Sequence, residues 1–299
     1  MELVTLTAGD LEATFAPGAG MIGTSLLHRG EELLAQRDGL DAYVQDAKTF
    51  GIPLLHPWAN RLDGPRYSVA GKDVELDMNS PLIHVEDNGL PIHGVTSASP
   101  YWKVIDRDEA GLHARLDYFA HDDLLAGFPF PHTLDIEISL DPDALHHTTR
   151  LTASGTEPVP VSFGYHPYLT LPGVDRANFE VTFPVCRYAI LDERGIPTGA
   201  DEPADIPPGP LGDRTYDDGF SALREPVEFV LQGGGRRIAV RFDEGYPLAQ
   251  VWAPEGQSFI CFEPMTAPTN ALVSHYGLTL ARPDDPYEAR FSVIVVTRV

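Results

Sequence analysis

The chain has 299 residues, a formal net charge of −23 at pH 7 and a sequence pI near 4.6. A field of this sign repels a nucleic-acid backbone or an anionic membrane, and it mildly disfavours strongly anionic substrates unless a local arginine cluster attracts them. Glycine and proline supply 27 residues each, above the usual combined share of about 12%, which favours many turns and short strands over long helices.

Cysteine usage and the N-terminal segment predict the compartment. Cys186 and Cys261 both lie in apolar runs, which is typical of buried free thiols. Residues 1–5 lack the basic and apolar regions of a signal peptide, and nowhere do about 18 apolar residues follow one another. We therefore expect a soluble cytoplasmic protein, a monomer or a homodimer, that binds neither nucleic acid nor membrane.

The predicted elements are mostly half-buried strands. One short helical pattern covers residues 38–47, and period-two alternation is clearest over 134–140, where four aliphatic residues share one face. Similar patterns predict strands at 161–165, 227–231, 237–242 and 291–296, separated by turn clusters. This organisation favours an all-β fold, a large antiparallel β-sandwich or barrel, as a single domain over residues 1–299.

Residues 191–218 are the least regular part of the chain, rich in proline, glycine and aspartate. We expect a long loop here, and such loops in compact domains are usually functional or mobile. A domain linker is not indicated, because strand patterns resume directly afterwards with no change in composition.

The segment 259–271 is the first candidate site. We expect its strand to end at Glu263, because Pro264 cannot donate to a sheet ladder. On a two-residue period Phe259, Cys261 and Glu263 share one face, which places the acid beside a small neighbour and leaves room for a ligand. The alternative is a surface acid that closes a strand.

A second strand end carries an imidazole. Within 161–169 we expect a strand ended by Pro167, and Ser162, Gly164 and His166 share a face whose other members are small. The alternative is a structural histidine, which is the commoner role of any single histidine.

Further polar residues lie among sharp turn signals or on another predicted strand. Arg61 follows Asn60 in a segment rich in proline and glycine, and His93 lies between a proline and a glycine. Gln250 and Trp252 share a strand face, where an amide and an aromatic plate suit a sugar, although Trp252 alone is more often a core residue. No metal-ligand, phosphate-loop or nucleophile-elbow motif occurs, so no metal or cofactor is predicted.

Taken together and in order, several motifs resemble the aldose 1-epimerase (galactose mutarotase) family over about residues 1–299. They are Asn60-Arg61, His93-Gly94, His166-Pro167-Tyr168, Asp217-Asp218-Gly219-Phe220, Gln250, Glu263-Pro264-Met265-Thr266 and Asn270-Ala271. The resemblance implies a large antiparallel β-sandwich, a sugar site on an open face, and no cofactor.

The resemblance also implies roles for these residues. Glu263 would be the general base and His166 the general acid of anomer interconversion, with His93 assisting. The substrate-binding residues would be Asn60, Arg61, Asp217 and Gln250, to which the strand-face pattern adds Trp252. Asp217 is preferred to Asp218 because it lies three residues before Phe220. Near neutral pH we expect Glu263 ionised and His166 protonated, with a carboxylate such as Asp217 helping to hold that charge.

A neutral aldohexose is the expected substrate, and three alternatives stay open. A hexose-6-phosphate epimerase would need grouped basic residues, for which Arg61, Arg66 and Lys72 are candidates. A non-catalytic carbohydrate-binding or sugar-sensing module would use the binding residues without turnover. A polysaccharide lyase of sandwich type would need a basic groove that this acidic chain does not indicate.

Overall fold

The computed structural model describes residues 1–297 and is built almost entirely of β-strands. The α-helices are short: α1 (Gly39–Asp46), α2 (Asp122–Gly127) and α3 (Ala271–Ser274). Single turns of 3₁₀-helix occur at Pro17–Ala19, Tyr118–Ala120 and Arg176–Asn178.

The strands of the first half of the chain are β1 (Val4–Ala8), β2 (Leu11–Ala16), β3 (Ile22–His28), β4 (Glu31–Glu32), β5 (Leu54–Leu55), β6 (Arg66–Val69), β7 (Lys72–Glu75), β8 (His84–Val85), β9 (Pro91–Ile92), β10 (Lys103–Arg107), β11 (Gly111–Leu116), β12 (His132–Asp141) and β13 (Ala144–Ala153). Those of the second half are β14 (Val159–Val161), β15 (Gly164–Tyr165), β16 (Tyr168–Leu169), β17 (Glu180–Thr182), β18 (Cys186–Leu191), β19 (Pro197–Ala204), β20 (Gly209–Pro210), β21 (Tyr216–Ser221), β22 (Val227–Gly233), β23 (Arg236–Glu244), β24 (Leu248–Ala253), β25 (Ile260–Met265), β26 (Thr279–Ala281) and β27 (Tyr287–Thr297).

Two large antiparallel sheets form the sandwich. One has nine strands in the order β10-β11-β12-β13-β27-β23-β22-β17-β20. The other has the order β19-β18-β21-β24-β25-β15-β5, with β16 also paired to β25. A third sheet contains β1 to β4. The prediction of an all-β antiparallel sandwich is confirmed.

Aromatic rings from the two large sheets meet in the core. Phe229 on β22 and Phe262 on β25 have ring centroids 5.5 Å apart, and Tyr165 on β15 lies 4.9 Å from Phe291 on β27. Because side chains alternate along a strand, the neighbours of Phe262 on β25 face away from this core. One hydrophobic cluster joins residues from Val4 to Val295.

Most strand predictions are confirmed, and the structure extends them. The patterns at 134–140, 227–231, 237–242 and 291–296 lie within β12, β22, β23 and β27, and the helical pattern at 38–47 matches α1. The pattern at 161–165 is divided between β14 and β15.

The expectation of a structureless loop at 191–218 is wrong. β19 pairs with β18 as a hairpin, β20 pairs with β17, and β21 begins at residue 216. β19 is the edge strand of its sheet and most of its residues are exposed. An exposed edge strand lacks the apolar alternation by which strands are recognised, and it tolerates proline and glycine.

The expectation that Pro264 ends its strand is also wrong. β25 continues to Met265, which pairs with Leu248 on β24 and with Gly164 on β15. On the side of β15 and β16 the pairing with β25 is interrupted between the pairs Gly164–Met265 and Tyr168–Cys261. Pro264 has no backbone N–H to donate where the pairing is interrupted, and β25 nevertheless continues past it.

Candidate active site

The outer face of the eight-stranded sheet carries two adjacent rows of side chains. The pairs Gly164–Met265 and Tyr168–Cys261 share one register, so His166 falls opposite Glu263. On its other side Glu263 pairs with Gln250 of β24. The next row contains Asp217, Trp252, Cys261 and Tyr168, which are paired in that order across the strands.

These rows form the floor of a pocket of about 230 Å³. All eight residues selected from the sequence line it: Asn60, Arg61, His93, His166, Asp217, Gln250, Trp252 and Glu263. The pocket is also lined by Arg37, Thr49, Ile92 and Tyr168, for which the sequence predicted no role. Tyr168 belongs to a motif already quoted for the family resemblance, whereas Arg37 and Thr49 come from loops with no local signal of a site.

Glu263 and His166 form a buried carboxylate–imidazole pair. The Oε1 atom of Glu263 lies 3.3 Å from Nε2 of His166, and the two side chains are 2% and 7% exposed. A carboxylate this buried normally requires a charged or hydrogen-bonding partner, and His166 supplies one. An acid and a base are therefore held side by side at the pocket floor.

Burial shifts both groups towards their neutral forms. It raises the pKa of Glu263 well above its ordinary value, with a further increase from Asp217 and an opposing effect of Arg61. Burial lowers the pKa of His166 well below its ordinary value, and His93 and Arg37 add to this. Desolvation penalises each charged form, while attraction across 3.3 Å favours the ionised pair.

Asp217 does not hold the charge of His166, contrary to the expectation from the sequence. Its carboxylate accepts hydrogen bonds from Nη2 of Arg61 at 3.1 Å and from Nε2 of Gln250 at 2.8 Å. The carboxylate beside His166 is Glu263 itself. Asp217 therefore orients two hydrogen-bond donors of the pocket, and it remains half-exposed to a ligand.

The strand geometry places Asp217 and Asp218 differently with respect to the pocket. Asp217 pairs with Trp252 and lines the pocket, whereas Asp218 pairs with Val251 on the alternate position. Burial raises the pKa of Asp218, and its charge acts on Tyr188 outside the pocket. The two neighbouring acids therefore serve opposite faces of β21.

Arg61 is held from several sides. Its Nε donates to Glu86 at 3.4 Å and its Nη1 donates to Oδ1 of Asn60 at 3.2 Å, in addition to the bond to Asp217. The same Asn60 oxygen accepts from the Arg61 backbone N–H at 2.9 Å. Glu86 lies in the turn before His93 and was not among the site residues predicted from the sequence. With two carboxylates beside it, the guanidinium is electrostatically compensated.

His93 occupies a backbone conformation set by its neighbours. Its φ is +64° and the backbone N–H of Asn60 donates to its Nδ1 at 3.3 Å, so the neutral ring carries its proton on Nε2. Burial, aided by Arg61, lowers its pKa to about 3. Gly94 follows with φ +75°, and a Cβ there would lie 2.0 Å from the carbonyl oxygen of His56. Only glycine fits this position.

The tip of the β18–β19 hairpin covers the outer side of Arg61. Arg194 at this tip donates to Asp63 at 2.5 Å and to Asp192 at 3.0 Å. At Gly195 an added Cβ would lie 3.2 Å from Nη1 of Arg61. The segment predicted as a loop is thus a hairpin whose ion pair with Asp63 fixes it beside the pocket.

The basic trio considered for a phosphate group is not assembled. Arg66 pairs with Glu75 and Lys72 pairs with Glu157, and neither lines the pocket. Within residues 1–297 no group of three or more His, Cys, Asp or Glu side chains is placed to hold a metal ion. Of the helices in that range, none has the length and apolar character needed to cross a membrane.

The antiparallel sandwich with this pocket on its open face has the fold of galactose mutarotase-like proteins. The sequence profile of the family described as aldose 1-epimerase matches residues 2–293, and the chain belongs to that family.

Similar proteins span nearly the whole chain. An uncharacterized protein of Escherichia coli K12, YihR, is 24% identical over 98% of this chain and 92% of its own length. The Slr1438 protein from Synechocystis sp. PCC 6803 has a solved structure with a TM-score of 0.80, 25% identity, and coverage of 99% of this chain and 96% of that one. A galactose mutarotase-like protein from Clostridium acetobutylicum has a TM-score of 0.83 at 20% identity, covering 99% and 95%.

Proposed function

We propose that the protein is a cofactor-independent aldose 1-epimerase that interconverts the α and β anomers of an aldohexose. The observation that carries this proposal is the buried pair of Glu263 and His166, with Nε2 and Oε1 3.3 Å apart on the floor of the pocket. Membership of the aldose 1-epimerase family supports the same reaction class.

In the proposed mechanism Glu263 removes the proton of the C1 hydroxyl while His166 protonates the ring oxygen. The C1–O5 bond breaks, the C1 hydroxyl oxygen becomes the aldehyde oxygen, and rotation about C1–C2 presents the other carbonyl face. Ring closure then uses the two groups in reversed roles. A hydroxyl of pKa near 12 needs a base and a ring oxygen needs an acid, and each positioned catalyst contributes on the order of 10²–10⁴ in rate.

Burial favours a proton on Glu263 and a neutral His166, whereas ring opening begins from ionised Glu263 and protonated His166. These two forms of the pair hold the same number of protons. One proton moved between the side chains converts the first form into the second, and no exchange with solvent is required. The pair is therefore described by shared titration rather than by two independent groups.

The remaining residues are proposed to hold the sugar. Arg61, Asn60, Asp217 and Gln250 offer donors and acceptors for hydroxyl groups. Trp252 offers an aromatic face for C–H groups. His93 is proposed to assist the reaction as a neutral donor through Nε2, because its Nδ1 accepts from a backbone N–H.

Polarimetry on freshly dissolved α-glucose and α-galactose tests the catalytic roles. We expect Glu263→Gln and His166→Asn each to lower the anomerisation rate at least about 100-fold, since each removes one positioned catalyst. The matched control is Glu255→Gln, at an exposed turn outside the pocket, which should keep the wild-type rate. Wild-type rates in either pocket variant, with folding confirmed by circular dichroism, would refute the assignment.

A non-catalytic sugar-binding module is the competing function. It predicts sugar affinity by calorimetry together with only the spontaneous rate of anomerisation. The proposed enzyme predicts affinity and turnover in the same protein, so the two measurements distinguish the functions.

The single-domain organisation, the cytoplasmic location and the monomeric or homodimeric state stay predictions. The cytoplasmic location is supported by Cys186 and Cys261, which are both free and buried.

A further inference from the structure

Arg37 is a second arginine of the pocket and is positioned by aromatic and polar contacts. Its Nη1 donates to the carbonyl oxygen of Thr49 at 2.6 Å and to the hydroxyl of Tyr168 at 3.1 Å. Its guanidinium carbon lies 5.1 Å from the ring centroid of Tyr168, 5.5 Å from that of Trp252 and 5.8 Å from that of Phe259. The hydroxyl of Tyr168 is itself 2.5 Å from that of Thr49. The guanidinium therefore has a defined place in the pocket wall.

The two pocket arginines differ in whether carboxylates neutralise their charge. Arg61 has ion pairs with Glu86 and Asp217. Among residues 1–297 no carboxylate lies within ion-pair distance of Arg37, and its Nε and Nη2 donate to no protein acceptor in that range. In a chain with 44 acidic and 21 basic residues, Arg37 thus presents an exposed guanidinium at the pocket whose Nε and Nη2 donors are available to a ligand.

Arg61 donates to Asp217 and Arg37 donates to Tyr168, and these two acceptor residues lie at opposite ends of one row of the pocket floor. Asp217, with Arg61, is at the β21 end of its row, and Tyr168, beneath Arg37, is at the β16 end. Adjacent strands are about 4.8 Å apart, so three spacings separate these ends by about 14 Å. Glu263 on β25 and His166, two residues before Tyr168, lie in the neighbouring row and closer to the β16 end, where Arg37 is, than to the β21 end. A sugar centred over this pair would direct hydroxyl groups to one end and a substituent to the other.

We infer that Arg37 binds an oxyanion substituent, and that the preferred substrate is an aldohexose carrying a phosphate, sulfate, sulfonate or carboxylate group. This inference rests on the proposed function, because it assigns the substrate class of the same pocket. The planar guanidinium presents two parallel N–H groups that match an oxyanion. The net charge of −23 acts over the whole surface, whereas the contact with Arg37 is local and less screened.

Polarimetry on glucose, glucose 6-phosphate, glucose 6-sulfate, 6-deoxy-6-sulfoglucose and glucuronate tests the inference. We expect the wild type to have a higher kcat/KM for at least one acidic sugar than for glucose. Arg37→Gln should lower kcat/KM for that sugar about 10- to 100-fold more than for glucose, the range for a hydrogen-bonded charged group. The acidic sugar that shows the largest effect identifies the substituent. Arg66→Gln, an exposed arginine outside the pocket, is the matched control and should lower neither value.

Two results would overturn the inference: glucose preferred over every acidic sugar by the wild type, or an equal loss for all sugars in Arg37→Gln. The second result would mean that Arg37 only supports the aromatic residues beneath it. Calorimetry with the same sugars separates this inference from the proposed function. Tight binding of an acidic sugar that depends on Arg37, without turnover of any sugar, would support the oxyanion site and refute the epimerase.

Discussion

Replacing Glu263 by glutamine should stabilise the fold while removing activity. The side chain is 2% exposed, and burial raises its pKa well above the ordinary value. A buried polar group without full compensation costs about 1–3 kcal/mol, and a charged one costs more. Since His166 compensates part of this cost, we expect a gain of about 1–2 kcal/mol at pH 8. At about 2–4 °C per kcal/mol for a chain of this size, Tm should rise by about 2–8 °C.

The pH dependence identifies the cause of this gain. Because the folded-state pKa of Glu263 lies above its unfolded value of about 4.5, wild-type stability is lost as pH rises from 4.5 through the folded-state pKa. Glutamine does not ionise, so the difference in Tm should be near zero at pH 4 and should grow over that window. His166 has a lowered pKa, so stability is lost as pH falls below about 6.5 in both proteins. In the glutamine variant the imidazole titrates without the carboxylate, which enlarges this loss and adds to the growth of the Tm difference with pH.

Differential scanning calorimetry of wild type and Glu263→Gln between pH 4 and pH 8 measures this difference. Glu255→Gln, at an exposed turn, is the control and should show no difference that varies with pH. A Tm difference that is constant across the range, or negative at pH 8, would contradict the argument that an unfavourable buried charge is kept for catalysis.

Two further predictions concern the backbone and the hairpin beside the pocket. Gly94→Ala should lower the free energy of unfolding, measured by urea titration, by more than about 3 kcal/mol, because its Cβ would lie 2.0 Å from a carbonyl oxygen. The control is Gly89→Ala, which is also at positive φ but has no atom within 4 Å of the added Cβ, and it should cost about 1 kcal/mol. Arg194→Gln should raise KM by about two- to fivefold with little change in kcat, because it removes the ion pair with Asp63 that holds the hairpin beside the pocket. The control is Arg187→Gln, in the same hairpin but outside the pocket, and it should leave KM unchanged.

The alternation of side chains explains why much of the fold could be predicted. On β25, Phe262 packs in the core while Cys261 and Glu263 lie on the opposite face, where Glu263 lines the pocket, as the two-residue period predicts. Strands with one buried face carry this signal in their sequence. The edge strand β19 does not, because most of its residues are exposed and no face is selected for apolar residues.

The pocket residues likewise include some that a strand pattern made predictable and others that no local pattern indicated. Gln250 and Trp252 were recognisable because a strand face groups an amide with an aromatic ring. Arg37 was not, because it lies in a turn with φ +44° before α1 and reaches the pocket only through tertiary contacts with Thr49 and Tyr168. A local sequence pattern predicts which residues share a strand face. It does not predict which loop residues meet in the folded chain, because those contacts depend on the whole fold.

The interruption of the sheet pairing beside β25 explains how Glu263 and His166 come to lie side by side. In the register of β25, Pro167 faces Phe262 and Pro264 faces Tyr165, and proline has no N–H to donate across the gap. His166 and Glu263 lie opposite each other at this interruption, and their positions follow from strand pairs on either side. A pair set by strand register is more rigid than one carried on loops. Substitutions around Arg37 or in the β18–β19 hairpin can therefore change which sugar is bound while the acid–base pair keeps its geometry.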